Sequence, residues 1–230
     1  MAREFKQNHA QVCEAWRLLS AAERARYIEA AIPKLALMTG NANKARRLFE
    51  HLLGHTAELD EVTRLTGATG ESNDLYLTAR GKTMVMGGES TKTMAVLGQL
   101  IAALLTGNEV ILHCPSQAEM CDEAARALYD AGINEDVLSV ANDSQTITLL
   151  HIDRLAQVAV SGSTAEVQHV SQELAKTDGI LTQTIGVTDM AGLSEMLTPD
   201  YIHRFVTERV KTINTTAIGG NASLLELGAS

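Results

Sequence analysis

Three cysteines, seven histidines and one glycine-serine-threonine turn are the residues of this chain with the chemistry to act on a small molecule. Cys114 closes a strongly apolar run, Glu109 to Cys114, at the strand edge where α/β proteins place functional groups. A nucleophilic thiol needs an adjacent base or a helix N-terminus to lower its pKa. His113 is its neighbour, but adjacent strand residues point to opposite faces. Cys13 and Cys121 fall on helical stretches, and all three thiols read as structural. His51 and His55 have the i, i+4 spacing that can ligate zinc, but no HExxH signature and no third ligand in register accompany them. A solvated helix face is the expectation there, and no metal site is expected. Gly162, Ser163 and Thr164 lie between a strand and a helix, where free N–H groups favour an anion. Ser and Thr are also ordinary helix caps. There is no GxGxxG and no Walker lysine. The run from Asn214 to Ser223, dense in small polar residues and glycine, fits either a close approach to a ligand or a tight hairpin.

These residues need a scaffold, and its rhythm changes along the chain. Glu4 to Arg64 is helical in pattern. Ser20 with Glu23 forms a capping box that opens a helix at Ala21. Pro33 sits inside a further helix or a kink, Gly40 to Asn43 is a break, and Lys44 to Leu59 is a second long helix. After a loop at Thr66 to Gly70, strands are predicted at 73–79, 83–87, 109–114, 137–140 and 157–161. Helices are predicted at 94–105, 116–131, 147–151 and 164–175. Strands alternating with helices of this length mean right-handed crossovers and a parallel sheet. Short helical turns at Ser194 to Leu197 and Tyr201 to Phe205 lead to a β-branched strand, Thr207 to Thr216, a turn at Gly219 to Asn221 and an apolar stretch, Ala222 to Leu227. This tail is too small for a core of its own and has to pair with another strand, in this chain or a neighbour.

Composition narrows the function classes. Among 230 residues, 45% are apolar and 20% charged, so a sizeable core can form. Nineteen Lys and Arg against 28 Asp and Glu give a net charge of -9, which argues against nucleic acid and anionic membranes as partners. Aromatics at 3% leave little to stack on bases or sugars. No apolar run is long enough to span a bilayer, and Met1 to Ala10 lacks the apolar stretch of a signal peptide. An odd cysteine count without CxxC spacing points to a reducing, cytoplasmic setting. The sequons at Asn214 and Asn221 are then idle.

Several segments together resemble aldehyde dehydrogenases. Trp16-Arg17 and the stretch Leu19 to Ala25 resemble their N-terminal helix, Gly67 to Asn73 with Arg80-Gly81 the segment before their first Rossmann strand, and Gln99 to Asn108 their first cofactor-domain helix and turn. Ala131-Gly132-Ile133 before Val137-Leu138 fits the next helix-to-strand turn, and Val160 to Thr164 resembles the turn that faces the nicotinamide. The tail narrows the match: Glu208 to Ala217 with Gly219 to Leu224 closely resembles the C-terminal motif of the proline utilization A family, whose longer members carry an extra C-terminal domain of aldehyde dehydrogenase-like fold. Departures accompany the likeness. Between Val187 and Thr207 there is no room for the inserted catalytic domain, and the Gln-x-Cys signature is missing. Gly87-Gly88-Glu89-Ser90 stands where the family has Pro-Trp-Asn, and the ribose-binding Lys would fall at His113 or Cys114.

The resemblance therefore implies an α/β chain with a Rossmann-like parallel sheet, an N-terminal helical layer (1–64), the Rossmann-like part proper (65–190) and a C-terminal β-flap and tail (191–230), without the catalytic domain. It implies no catalytic residue, no required cofactor, and a vestigial nicotinamide turn at Gly162, Ser163 and Thr164, with residual NAD binding as the alternative. Such domains are non-catalytic in that family: they help form a dehydrogenase active site, and their terminal motif packs against it. Met1 opens this domain directly, so it is expected to stand alone. The expected work is docking through Asn73, Thr212, Asn214, Thr215, Thr216, Gly219, Gly220 and Asn221, onto a second copy or a dehydrogenase of proline catabolism.

Overall fold

The computed structural model describes residues 8–141 and 146–214. The chain opens with four helices: α1 (His9–Leu18), α2 (Ala21–Met38), α3 (Ala42–Leu53) and α4 (Thr56–Leu59). Ser20 accepts from the Glu23 backbone N–H while the Glu23 side chain returns to Ser20, so the capping box forms as expected. Pro33 lies within α2, which runs through it as one helix. The second long helix expected from Lys44 to Leu59 is instead two: Gly54 still bonds to Glu50 as the cap of α3, but the His55 N–H turns to the Leu52 carbonyl and breaks the helical ladder. The helical reading to Arg64 also gives way at its end, where β1 (Val62–Leu65) is a strand. Four residues are too few to show a period, and only pairing with β2 (Glu71–Ala79) makes them one.

β3 (Lys82–Gly87), α5 (Thr93–Leu105), β4 (Val110–His113), α6 (Ala118–Asp130), β5 (Leu138–Val140), α7 (Thr146–Leu150), β6 (Leu155–Ser161), α8 (Thr164–Leu174) and β7 (Gln183–Val187) follow, and short 3-10 turns lead into β8 (Val206–Asn214). β7 has no counterpart in the sequence reading, because Gln183 to Val187 mixes polar and apolar residues around a glycine. The five-stranded sheet runs in the order β5-β4-β3-β6-β7, all parallel. The chain thus starts at the centre, winds to one edge, returns, and winds to the other. This is a doubly wound Rossmann-like sheet whose switch point lies between β3 and β6.

α5 is the centre of the core. Every residue from Met94 to Leu105 is buried. A helix that is apolar all round has to be enclosed, and α2, α3 and the sheet enclose this one. A second sheet stands apart, three antiparallel strands in the order β1-β2-β8. β8 runs along the full length of β2, from Glu71 opposite Asn214 to Ala79 opposite Val206. Its root is buried and the rest of β8 is exposed or nearly so.

Candidate functional site

In a doubly wound sheet the ligand crevice lies beyond the carboxyl ends of the strands at the switch point. Here those ends are Gly87-Gly88 after β3 and Gly162-Ser163 after β6. The two loops are tied together: the Gly88 N–H donates to the Ser161 carbonyl at 2.8 Å, and the Thr91 and Ser161 hydroxyls meet at 2.6 Å in a buried pair. A Cβ at Gly87 would lie 2.5 Å from the Cys114 Sγ, so only glycine lets β3 and β4 end this close together. A cleft of about 260 Å³ opens beside them, with Glu89, Glu166 and His169 in its wall and neither Lys nor Arg among its lining residues.

The anion-binding end of α8 is filled by the chain itself. Ser163 caps α8, accepting from the Glu166 N–H, and the Glu166 carboxylate folds back over the turn. Its Oε2 accepts from the Ser163 N–H at 2.6 Å, the Ser163 hydroxyl at 2.7 Å and the Ser90 hydroxyl at 2.5 Å. Its Oε1 accepts from the Ser90 N–H at 3.3 Å. The Gly162 N–H is committed to Val187 O at 3.1 Å. Gly88 and Gly162 clear the space: a Cβ on either would fall within 2.8 Å of a Glu166 carboxylate oxygen. The nicotinamide cofactor implied by the fold does not fit this turn. The Gly162 N–H is held by the Val187 carbonyl and the Ser163 donors already serve an internal anion, and a pyrophosphate would meet the Glu89 and Glu166 carboxylates with neither Lys nor Arg among the described lining residues to offset them.

These bonds hold the Glu166 carboxyl down at about 2, the Ser90 hydroxyl contributing most and the Ser163 hydroxyl next. Because the folded pKa lies below the ordinary 4.5, the unfolded chain binds the proton more tightly. The stabilisation is therefore complete above about 4.5 and lost as pH falls toward about 2. Glu166→Gln is expected to cost about 1 kcal/mol at neutral pH, after allowing for solvent screening. It should also flatten the acid limb of stability, measured by denaturant titration between the two pH values.

Cys114 has no base. Its thiol is brought down to about 7, chiefly by the hydrogen bond from Cys121, with Ser116 and the Gln117 backbone assisting. That same bond, with burial, pushes Cys121 up. His113 faces the opposite side, with Nδ1 on the Ala141 carbonyl at 2.8 Å and Nε2 on the Thr146 hydroxyl at 2.9 Å. His51 and His55, expected on a solvated face, are half-buried and packed edge to face at 5.2 Å, with His55 Nδ1 3.2 Å from Glu58.

The flap residues divide. Asn73 and Thr212 lie directly opposite one another, and the Thr212 hydroxyl donates to Asn73 Oδ1 at 2.6 Å. Asn214 pairs with Glu71 at the far end. Thr215, Thr216, Gly219, Gly220 and Asn221 lie outside the described residues. Gly67 is required beside Asn73, because a Cβ there would sit 2.4 Å from its amide nitrogen. Sequence reasoning missed Glu166 and Ser90. The signal for the first was present, since Ser163-x-x-Glu166 repeats the spacing read at Ser20 and Glu23. Ser90 carries no linear signal, because only the fold brings it to Ser163. No helix of the described residues is long and apolar enough to cross a membrane.

No protein-family model matches the chain. The bifunctional protein PutA of Escherichia coli (strain K12) is 27% identical over 175 residues, which are 76% of this chain and 12% of that protein. The chain thus spans a small fraction of the relative it matches. A crystal structure of a Bradyrhizobium japonicum proline utilization A mutant superposes with a TM-score of 0.66 at 23% identity, covering 79% of this chain and 22% of that one. The NAD-dependent benzaldehyde dehydrogenase of Corynebacterium glutamicum superposes with a TM-score of 0.60 at 18% identity, covering 78% and 45%. The fold is aldehyde dehydrogenase-like, and the chain is related to the PutA proteins.

Proposed function

We propose that this chain is a non-catalytic aldehyde dehydrogenase-like module of proline catabolism that docks through its flap onto a 1-pyrroline-5-carboxylate dehydrogenase in the cytoplasm. The observation that carries the reading is the projecting sheet. Among the described residues no strand pairs with the outer edge of β1 or of β8. An edge of this kind takes up a further strand through main-chain hydrogen bonds, and the side chains beside it set specificity. Those side chains are suited to a partner. Val62 is 60% exposed and Val210 52%. The register places Leu75 opposite Val210 on one face, and on the other it sets Asp74 between Arg64 and Lys211. Thr212 and Asn73 lie on the docking surface in this reading, continuous with Asn214 and the tail beyond it. The relation to a bifunctional PutA protein supports the choice of dehydrogenase. The self-occupied turn at Gly162 to Thr164 weighs against the competing reading of an NAD-binding dehydrogenase component.

The test is light scattering on the full chain mixed with a purified 1-pyrroline-5-carboxylate dehydrogenase from the same source. A stoichiometric complex is expected, and deleting residues 207–230 should abolish it while the circular dichroism of the remainder is retained. A dimer of the chain that ignores the dehydrogenase would replace this reading with self-association through the flap. A monomer in both conditions would sink both. Calorimetry with NAD, expected to give no heat, separates the enzyme-class alternative.

A further inference from the structure

Outside the flap and the switch point, one cluster joins residues far apart in sequence. His9 and Cys13 lie one turn apart on the same face of α1, which Asn8 and Gln11 hold in place by a capping box. They face Glu109, just before β4, and Asp136, in the loop before β5. The His9 Nε2 lies 3.7 Å from the Cys13 Sγ and 3.2 Å from Glu109 Oε1. All three ligand atoms fall within 4.8 Å of one another. Metal bonds of about 2.0–2.3 Å in a tetrahedral shell put neighbouring ligand atoms roughly 3.3–3.6 Å apart, and the two measured separations bracket that range.

We propose that His9, Cys13 and Glu109 form a transition-metal site best suited to zinc, with Asp136 as its positioning residue. Asp136 Oδ1 lies 3.1 Å from His9 Nδ1, on the far side of the ring from Glu109. A carboxylate there accepts a hydrogen bond from the Nδ1–H, which fixes the tautomer and turns the Nε2 lone pair toward the other two ligands, the arrangement that supports metal-bound histidines generally. Nε2 and Glu109 Oε1 are then two acceptors 3.2 Å apart. Something positive has to lie between them, either a second proton on His9 or a cation. Thiolate, imidazole and carboxylate together select zinc over calcium or magnesium, which prefer oxygen alone. One thiolate and one carboxylate also neutralise a divalent charge, and the exposed side of His9 leaves a fourth position for water.

Two groups compete with the cation. Lys82 Nζ lies 3.4 Å from the same Glu109 oxygen and has to move to the second one or to water. The Cys13 thiol donates to the Asp136 carbonyl at 3.2 Å, and burial, with Glu109 and Asp136, pushes it up to about 12. Binding therefore releases the thiol proton and, where His9 is protonated, the Nε2 proton; the cation takes the place of both.

Cobalt(II) titration of the full chain tests this. A thiolate-to-cobalt charge-transfer band should grow to saturation at one equivalent and disappear on adding zinc. Cys13→Ala should abolish the band. Asp136→Asn should keep it while weakening affinity roughly 10–100-fold, as loss of a supporting carboxylate does. Metal-free melting of each variant checks that it is folded. No band in the parent chain overturns the proposal, as does a band that survives Cys13→Ala, which would place the metal on Cys114 or Cys121. Zinc should raise the melting temperature of the parent chain and leave that of Cys13→Ala unchanged; an equal rise in both would also overturn it.

Discussion

Replacing Arg24 with alanine is expected to destabilise the chain by about 3–5 kcal/mol, the sum of leaving several carbonyls without a donor at about 1–3 kcal/mol each. Arg24 is 6% exposed, and its hydrogen bonds among the described residues go to backbone carbonyls, with Asp60 and Glu23 near enough to act on it only through their charge. Its Nε donates to the Leu105 carbonyl at 2.7 Å, at the end of α5. Its Nη1 donates to the Leu19 and Arg17 carbonyls at the end of α1. One guanidinium thus satisfies the open carbonyls of two helix ends and ties the N-terminal layer to the central helix. Burial lowers its pKa to about 10, still far above neutrality, so the cation persists in the folded chain. Alanine would leave one buried and two part-buried carbonyls short of a donor and open a void beneath Gly107, whose left-handed φ of 84° brings its Cα side within reach of the guanidinium. Urea unfolding checks the result. Lysine at the same position should recover only part of the loss, because a point donor cannot serve two divergent helix ends. A loss under 1 kcal/mol would mean that water enters and takes over the carbonyls.

Leu100→Ala is the second large effect. Leu100 is fully buried at the middle of α5, between the helical layer and the parallel sheet. Both sides are rigid, so the cavity has little way to close, and the expected cost is about 3–5 kcal/mol. For a chain of this size each kcal/mol lowers the melting temperature by roughly 2–4 °C. Thermal unfolding should therefore shift down by roughly 6–20 °C. Leu100→Met, which keeps the volume, should cost under about 1.5 kcal/mol.

The parallel sheet was legible because its crossovers repeat one rhythm, strand then helix, from Thr83 to Ala175. The strands that escaped notice are those that pairing defines. Val62 to Leu65 becomes β1 only by lying against Tyr76 to Asn73. Gln183 to Val187 becomes β7 only by lying against Gln157 to Ser161. The broken α3–α4 region was hidden by an apolar period that continues across Gly54. At the switch point the turn at Gly162 to Thr164 was visible as a donor-rich helix start, but its occupant was not, because half of the cradle comes from Ser90 on another loop. The His9 cluster is harder still. His9 and Cys13 repeat the i, i+4 spacing read at His51 and His55, but Glu109 and Asp136 come from loops around β4 and β5, and nothing in the linear spacing brings those two to α1.

The Glu166 carboxylate also changes what binding at that turn would require. A phosphate arriving from solution would meet an anion already tethered three residues from the cap, with an effective concentration on the order of millimolar or higher. Its occupancy would be set by competition with that tethered group, not by the strength of the donors alone. Nucleotide at ordinary cellular levels would be the weaker contender even if every N–H were well aimed. The route to anion binding at this fold's switch point thus begins with the loss of that side chain, which frees the Ser163 and Ser90 donors and leaves Glu89 as the remaining like charge in the cleft.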